Sequence, residues 1–364
     1  KIADVEVGSF LSSGIDSSYI AEAANVDKTF TVGFESPDGD RYNEIHFAKK
    51  FADTIGVENI SKIITPEEYW GTFPKIQYHM DEPQSNPSSV PLYFLAKLAR
   101  EHVTVVLSGE GADEIYAGYE WYDETPLMRK YKKITQFLRV ADAAKRLPYF
   151  KGHDFIIKSS GRPEDYFIGQ ALVWHDKEAL RVLKPDYRVG PSALEVTAPI
   201  YARVKGKPEL DKKQYLDMNL WLPGDILLKA DKMSMASSLE LRVPFLDRVV
   251  MEQAEKIPHE YKINGKNTKY IFRKAANKTL PDEWADRKKM GFPVPIRYWL
   301  REKKYYDIVK GYFTSDYASE FFDTEELMKV LDEHYAGKAN NGRRVWTVFT
   351  FLVWYKRFFI DETV

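Results

Sequence analysis

The chain has 364 residues, enough for substantial cores and for more than one domain. Its 53 Lys and Arg against 54 Asp and Glu leave a formal net charge of −1, which argues against a broad nucleic-acid footprint. With no cysteine in the sequence, disulfides, thiolate metal sites and Cys nucleophiles are excluded, and the composition fits a cytoplasmic location.

The first strand falls in the apolar run Val5, Val7, Phe10 and Leu11. It ends abruptly in Ser12, Ser13, Gly14, Ile15, Asp16 and Ser17, before an Ala-rich helical stretch from Tyr19 to Ala24. Strand, small polar loop and helix in that order aim backbone N–H groups and hydroxyls at an anion. The loop has neither the Lys of a Walker sequence nor a three-glycine dinucleotide fingerprint, and a plain turn capped by Ser12 or Asp16 reads the same way. Alternation over Lys28 to Phe34 and Asn59 to Thr65 predicts two more strands. Between them Ile45, Ala48, Phe51, Ala52 and Ile55 recur at helical spacing. Pro91 opens a further helix with Leu92, Leu95, Ala96 and Ala99 on one face, and Val103 to Leu107 reads as a buried parallel strand. Strands alternating with helices predict a parallel α/β sheet. Its ligands belong beyond the carboxyl ends of the strands, where the Ser12 loop and the run after Leu107 both fall.

That second run, Ser108 to Tyr119, reads S-G-E-G-A-D-E-I-Y-A-G-Y. Its glycines let backbone approach a ligand, and Glu110, Asp113 and Glu114 crowd into one turn, as helix capping or as groups facing a cation. After Tyr119 the pattern turns to aromatic-rich helices, and the charged stretch Arg203 to Lys213 is expected to be an exposed loop. Trp221 to Asp247 reads helical up to Leu239 and sets Lys229, Asp231 and Lys232 among Leu228, Met233 and Met235, against the usual solvent-facing fate of Lys. Lys288 to Ile296 (K-K-M-G-F-P-V-P-I) is a basic, Gly/Pro-shaped loop, read from its own residues as a solvated surface loop. Val345 to Phe359 is the longest apolar run, too short and too interrupted to span a bilayer, and is expected to be a buried helix.

Together these runs resemble the synthetase domain of glutamine-dependent asparagine synthetases. The family's S-G-G-x-D-S pyrophosphate loop, its S-G-E-G-x-D-E-x-x-G-Y run, its K-x-D-(K/R)-x-S-M-A-x-S-L-E-x-R-x-P-F-L-D block and its K-x-G-F-x-x-P loop occur in family order from Ser12, Ser108, Lys229 and Lys289. Ser13 stands where the first loop usually has Gly, and the second run carries one extra residue before its final G-Y. The resemblance implies an α/β parallel sheet of the adenine nucleotide alpha hydrolase-like (ATP pyrophosphatase) type followed by a largely helical region. It divides the chain at about residue 119, with 1–119 as the nucleotide-binding core and 120–364 as the helical remainder of the same synthetase domain. Since the chain opens on Lys close to its first strand, it further implies a piece whose N-terminal glutaminase domain is absent.

The resemblance also implies roles. Ser12, Gly14, Asp16 and Ser17 would hold the pyrophosphate of ATP, Asp16 and Asp113 would bind Mg²⁺, and Leu11 and Val32 would frame the adenine. The backbones of Ser108 and Gly109 would complete the nucleotide site. Lys232 would stabilise charge on the α-phosphate and leaving pyrophosphate, and Glu110 would assist acyl-adenylate formation or accept a proton from ammonia. Asp81, Glu82 and Pro83 match a family segment near the substrate pocket. The expected reaction joins aspartate to AMP and then to ammonia. The expected partners are aspartate, ATP, ammonia, the glutaminase domain of a longer chain and a second copy in a homodimer, with neither nucleic acid nor membrane. Two rivals are a relative acting on another acid, such as a β-lactam-forming or peptide-cyclising synthetase, and a nucleotide-binding regulator without turnover.

Overall fold

Apolar stretches such as Val7–Phe10 and Val105–Leu107 can bury every side chain only within a sheet covered on both faces. The computed structural model of the protein describes residues 1–12, 14–35, 42–124, 126–138, 140–145, 152–169, 172–265, 267–285 and 293–361. It pairs those two stretches as parallel neighbours at the centre of the sheet. The strands β1 (Val7–Phe10), β2 (Lys28–Phe34), β3 (Glu58–Ile64), β4 (Val105–Leu107) and β5 (Glu240–Arg242) run parallel in the order β3-β2-β1-β4-β5. Helix α1 (Ile15–Ala23) links β1 to β2 and α2 (Ile45–Ile55) links β2 to β3. Two helices, α3 (Pro66–Met80) and α4 (Ser89–Arg100), return the chain to β4, and the short α5 (Ala112–Tyr116) follows it.

Side chains alternate across the pleat, so β4 sends Val106 into one core and Val105 and Leu107 into the other. The first core lies under α3, α4 and a late helix, Gly342–Tyr355; the second lies under α1, α2 and the helix Tyr270–Ala276. Gly342–Tyr355 is buried through Trp346, whose ring lies 4.4 Å from Phe73 and 5.6 Å from Trp70. Among the described residues no helix is long and apolar enough to cross a membrane.

The parallel α/β class expected from the sequence is present, with local differences. The helix expected to open at Pro91 begins at Ser89. The helix Leu228–Met235 ends short of Leu239, because Ser238 takes a left-handed turn (φ 54°) that swings the chain into β5. The exposed loop expected over Arg203 to Lys213 is instead interrupted by the helix Glu209–Asn219. Lys212 and Lys213 are buried there, and Lys212 pairs with Glu164 at 2.5 Å, so charge that reads as solvated is used inside the helical region. Ser13, and residues 288–292 of the basic loop, lie outside the described residues.

Candidate functional site

In this strand order the chain reverses direction across the sheet between β1 and β4, the place where an open parallel sheet leaves a crevice at its carboxyl edge. The loops after both strands meet there. After β1, the Ser12 N–H donates to Ser17 Oγ at 3.1 Å, the two serine hydroxyls lie 2.9 Å apart, and the Gly14 N–H donates to Ser12 Oγ at 3.1 Å. Gly14 leads into α1 with no side-chain cap, so the first N–H groups of that helix are left for another acceptor. After β4, the Ser108 N–H donates to the Arg242 carbonyl at 2.9 Å, which anchors the second loop on β5. A Cβ at Gly109 would lie 2.8 Å from the Ser17 nitrogen and 2.9 Å from Asp16 backbone carbon, so the two loops touch only because this residue has no side chain.

Behind the loops stands a residue with no expected role, Lys269. Its ammonium lies 2.6 Å from both oxygens of Asp16 and 2.8 Å from Oδ1 of Asp113, and the side chain is 2% exposed. Burial alone would lower the Lys269 pKa, but the carboxylates of Asp113 and Asp16 outweigh it and raise it. Gly118 makes room for the group, since a Cβ there would meet Asp113 Oδ1 at 2.0 Å and Lys269 Cε at 2.1 Å. The terminal G-Y of the second run thus has a steric reason. Lys269 has no distinguishing sequence signal: one Lys before a helix, at a positive φ of 53°, reads as surface.

Glu110 is the second unusual group. Among the described residues no donor reaches its buried Oε2. Burial pushes its pKa up to about 7, Lys229 opposes that rise, and Glu114 and Asp225 add to it. A carboxyl poised there can take or give a proton near neutral pH.

Leu11, Ser12, Gly14, Asp16, Ser17, Val32, Ser108, Gly109, Glu110 and Asp113 all line one cavity of about 1880 Å³. Leu11 and Val32 are buried on its apolar side. The volume exceeds the common range of about 300–1,000 Å³ for a single small ligand and leaves room for two. Lys232 lies elsewhere: its ammonium bonds Asp81, which caps the carboxyl end of α3, and it forms no part of the cavity wall. Lys229, one turn earlier, is buried and does line the cavity. Val294 and Ile296, at the described end of the basic loop, line it too. Among the described residues no three metal-ligating side chains gather. Asp16 and Asp113 form a pair that converges on one cation.

The family described as asparagine synthase matches residues 1–356. Asparagine synthetase (glutamine-hydrolyzing) 1 of Bacillus subtilis strain 168 is 41% identical over 99% of this chain and 58% of its own length. The putative asparagine synthetase (glutamine-hydrolyzing) of Mycobacterium tuberculosis strain H37Rv is 39% identical over 100% of the chain and 56% of its own length. The chain therefore spans little more than half of these curated relatives.

Proposed function

The chain belongs to the asparagine synthase family, and from that premise and its cavity we propose that it activates the β-carboxylate of L-aspartate with ATP and passes the acyl group to ammonia. The products are L-asparagine, AMP and pyrophosphate. A carboxylate at neutral pH has no usable leaving group, so the acid must first be joined to a better one. An oxygen of the β-carboxylate attacks the α-phosphorus, the bond to pyrophosphate breaks, and β-aspartyl-AMP forms. Ammonia then adds to the acyl carbon, the C–O bond to AMP breaks, and the proton shed by nitrogen goes to Glu110.

Ser12, Gly14, Ser17 and the opening N–H groups of α1 hold the phosphates, while Leu11 and Val32 flank the base. Mg²⁺ enters with the nucleotide as part of the substrate and screens phosphate charge. Asp16 and Asp113 suit it, because that ion takes one or two carboxylates together with phosphate oxygens, and both already face one cation. Lys269 supplies fixed positive charge where pyrophosphate departs. Lys232 keeps its proposed part there, which requires it to exchange Asp81 for phosphate. The names of the relatives include glutamine hydrolysis, so we extend the proposal to a glutaminase domain, outside the residues given, that supplies the ammonia.

One observation carries the reading: Asp16 and Asp113, from loops at adjacent strand ends, line the same cavity as Glu110 and meet at Lys269, which is buried behind them. The test is ATP–pyrophosphate exchange with and without aspartate. Aspartate-dependent exchange is expected; exchange that answers to a different acid, or to none, would overturn the reading.

A further inference from the structure

Beyond Glu110 the cavity wall carries a polar group that the nucleotide and acyl-transfer roles leave unused. A π-helical turn at Leu222–Leu227, where Pro223 and Gly224 interrupt regular helix bonding, presents Asp225 to the cavity. Asp225 Oδ1 accepts from Gln84 Nε2 at 2.5 Å and from Asn86 Nδ2 at 2.8 Å, and Lys229 Nζ stands 4.0 Å from the same oxygen. Two amide donors on one oxygen, with an ammonium nearby, fix the carboxylate, and among the described residues no donor reaches Oδ2. Arg343, at the start of the helix Gly342–Tyr355, lines the same cavity, and its charge acts on Asp225.

We propose that this is a subsite for a zwitterionic head group, in which Asp225 takes the α-ammonium and Arg343 the α-carboxylate of an amino-acid substrate. The inference rests on the acid-activating reading above and names what selects the acid. A carboxylate with one oxygen anchored and the other open is an acceptor for an ammonium, and a guanidinium pairs with a carboxylate through two parallel bonds. The mixed signs select against other ligands. A phosphate would be repelled by Asp225, a polyamine by Arg343 and Lys229, and a plain diacid would bring no donor to the open oxygen of Asp225. Both Lys229 and Asp225 act electrostatically on Glu110. The head-group site therefore adjoins the group that would receive the proton during acyl transfer.

The test is ATP–pyrophosphate exchange by the protein carrying this chain, with aspartate, succinate (no α-amino group), β-alanine (no α-carboxylate), and the pair glutamate and glutarate. The wild type should favour each α-amino acid over its deaminated partner by about a hundredfold or more in kcat/KM. Asp225→Asn keeps an oxygen for both amides and removes the charge. It should raise the KM of the amino-acid substrate at least about tenfold, leave the KM of ATP within about twofold, and collapse the preference over the deaminated acid. Arg343→Gln should do the same for the preference over β-alanine. An Asp225→Asn protein with the wild-type KM and preference overturns the subsite. Exchange with glutamate over glutarate but none with aspartate supports the subsite and overturns aspartate as substrate. No exchange with any acid overturns both.

Discussion

Lys269 sits where a buried charge costs most, and the contacts of two carboxylates decide that it remains charged. Removing it leaves Asp16 and Asp113 facing each other without their shared cation, which is more damaging than losing one solvent-facing pair. Lys269→Ala is expected to lower aspartate-dependent exchange by at least about a hundredfold, whereas Lys232→Ala, whose ammonium is partly exposed on Asp81, should lower it less. Equal losses in the two variants, measured as kcat/KM for ATP, would remove Lys269 from its proposed place. Glu110 gives a second prediction with a definite sign. Its pKa rises from 4.5 to about 7 on folding, so the native state holds a proton that the unfolded chain loses between those values. Stability from this group is full below about pH 4.5, falls as pH rises, and is gone above about 7. Glu110→Gln should therefore be more stable than wild type at pH 8, by about 3 kcal/mol, with the gap closing toward pH 4.5. The same variant should lose the part of the rise in ammonia-dependent rate through pH 7 that comes from ionising Glu110. A stability difference that grows on acidification would contradict the assignment.

The elements reach the site through two loops whose contact depends on one missing side chain. Gly109→Ala would drive a Cβ into backbone of the first loop, at 2.8 Å from the Ser17 nitrogen, and backbone at both positions cannot swing aside as a flexible side chain would. At least about a tenfold rise in the KM for ATP is expected, since phosphate donors must be held closely to act together. Thr65→Ala is the contrasting case. It removes a capping box at the start of α3, where Thr65 Oγ1 accepts the Glu68 N–H at 3.1 Å; it should cost about 1 kcal/mol of stability and leave exchange kinetics unchanged. If Gly109→Ala moved only the melting temperature, the loops would not be acting on the nucleotide. The same elements show how far sequence can be read. β1, β2, α2 and β4 are legible because each carries its own period or apolar run. β5 is not, because three residues, Glu240–Arg242, have no pattern of their own and become a strand only by pairing with Val105–Leu107 far back in the chain. The first loop and the Ser108 run are legible as local clusters of small and acidic residues. The Asp225 cluster is not, because Gln84 and Asp225 lie 141 residues apart and meet only in the folded protein.

At the scale of the whole molecule, the cavity draws on β1, β2, the loop after β4, α4, the π-helical turn and the last long helix, so its lining is spread from Phe10 to Thr347. Such a site can assemble nucleotide and acid within one chain, and a small uncharged nucleophile needs only access to the acyl carbon. Releasing ammonia from glutamine is a different demand. An amide is a poor electrophile, and covalent release needs an activated nucleophile of the thiolate kind, while the 364 residues contain no Cys. Free ammonia carries its own lone pair and needs only a group to take the proton it sheds, a task that Glu110, near its midpoint at about 7, is placed to perform. Protein of this sequence alone is therefore expected to form asparagine with ammonium salt and Mg·ATP, and to form none above background with glutamine as sole nitrogen donor. The assay is asparagine yield under the two nitrogen sources at matched pH, with added ammonia-free glutamine. Its pH course supplies an internal check, because the ammonium-supported rate should climb on the alkaline side both from free ammonia and from ionised Glu110, and Glu110→Gln should retain only the first contribution. Asparagine formed from glutamine at a rate comparable to that from ammonium would mean that this chain holds an amide-cleaving nucleophile other than a thiol, and the division of labour proposed for it would fail.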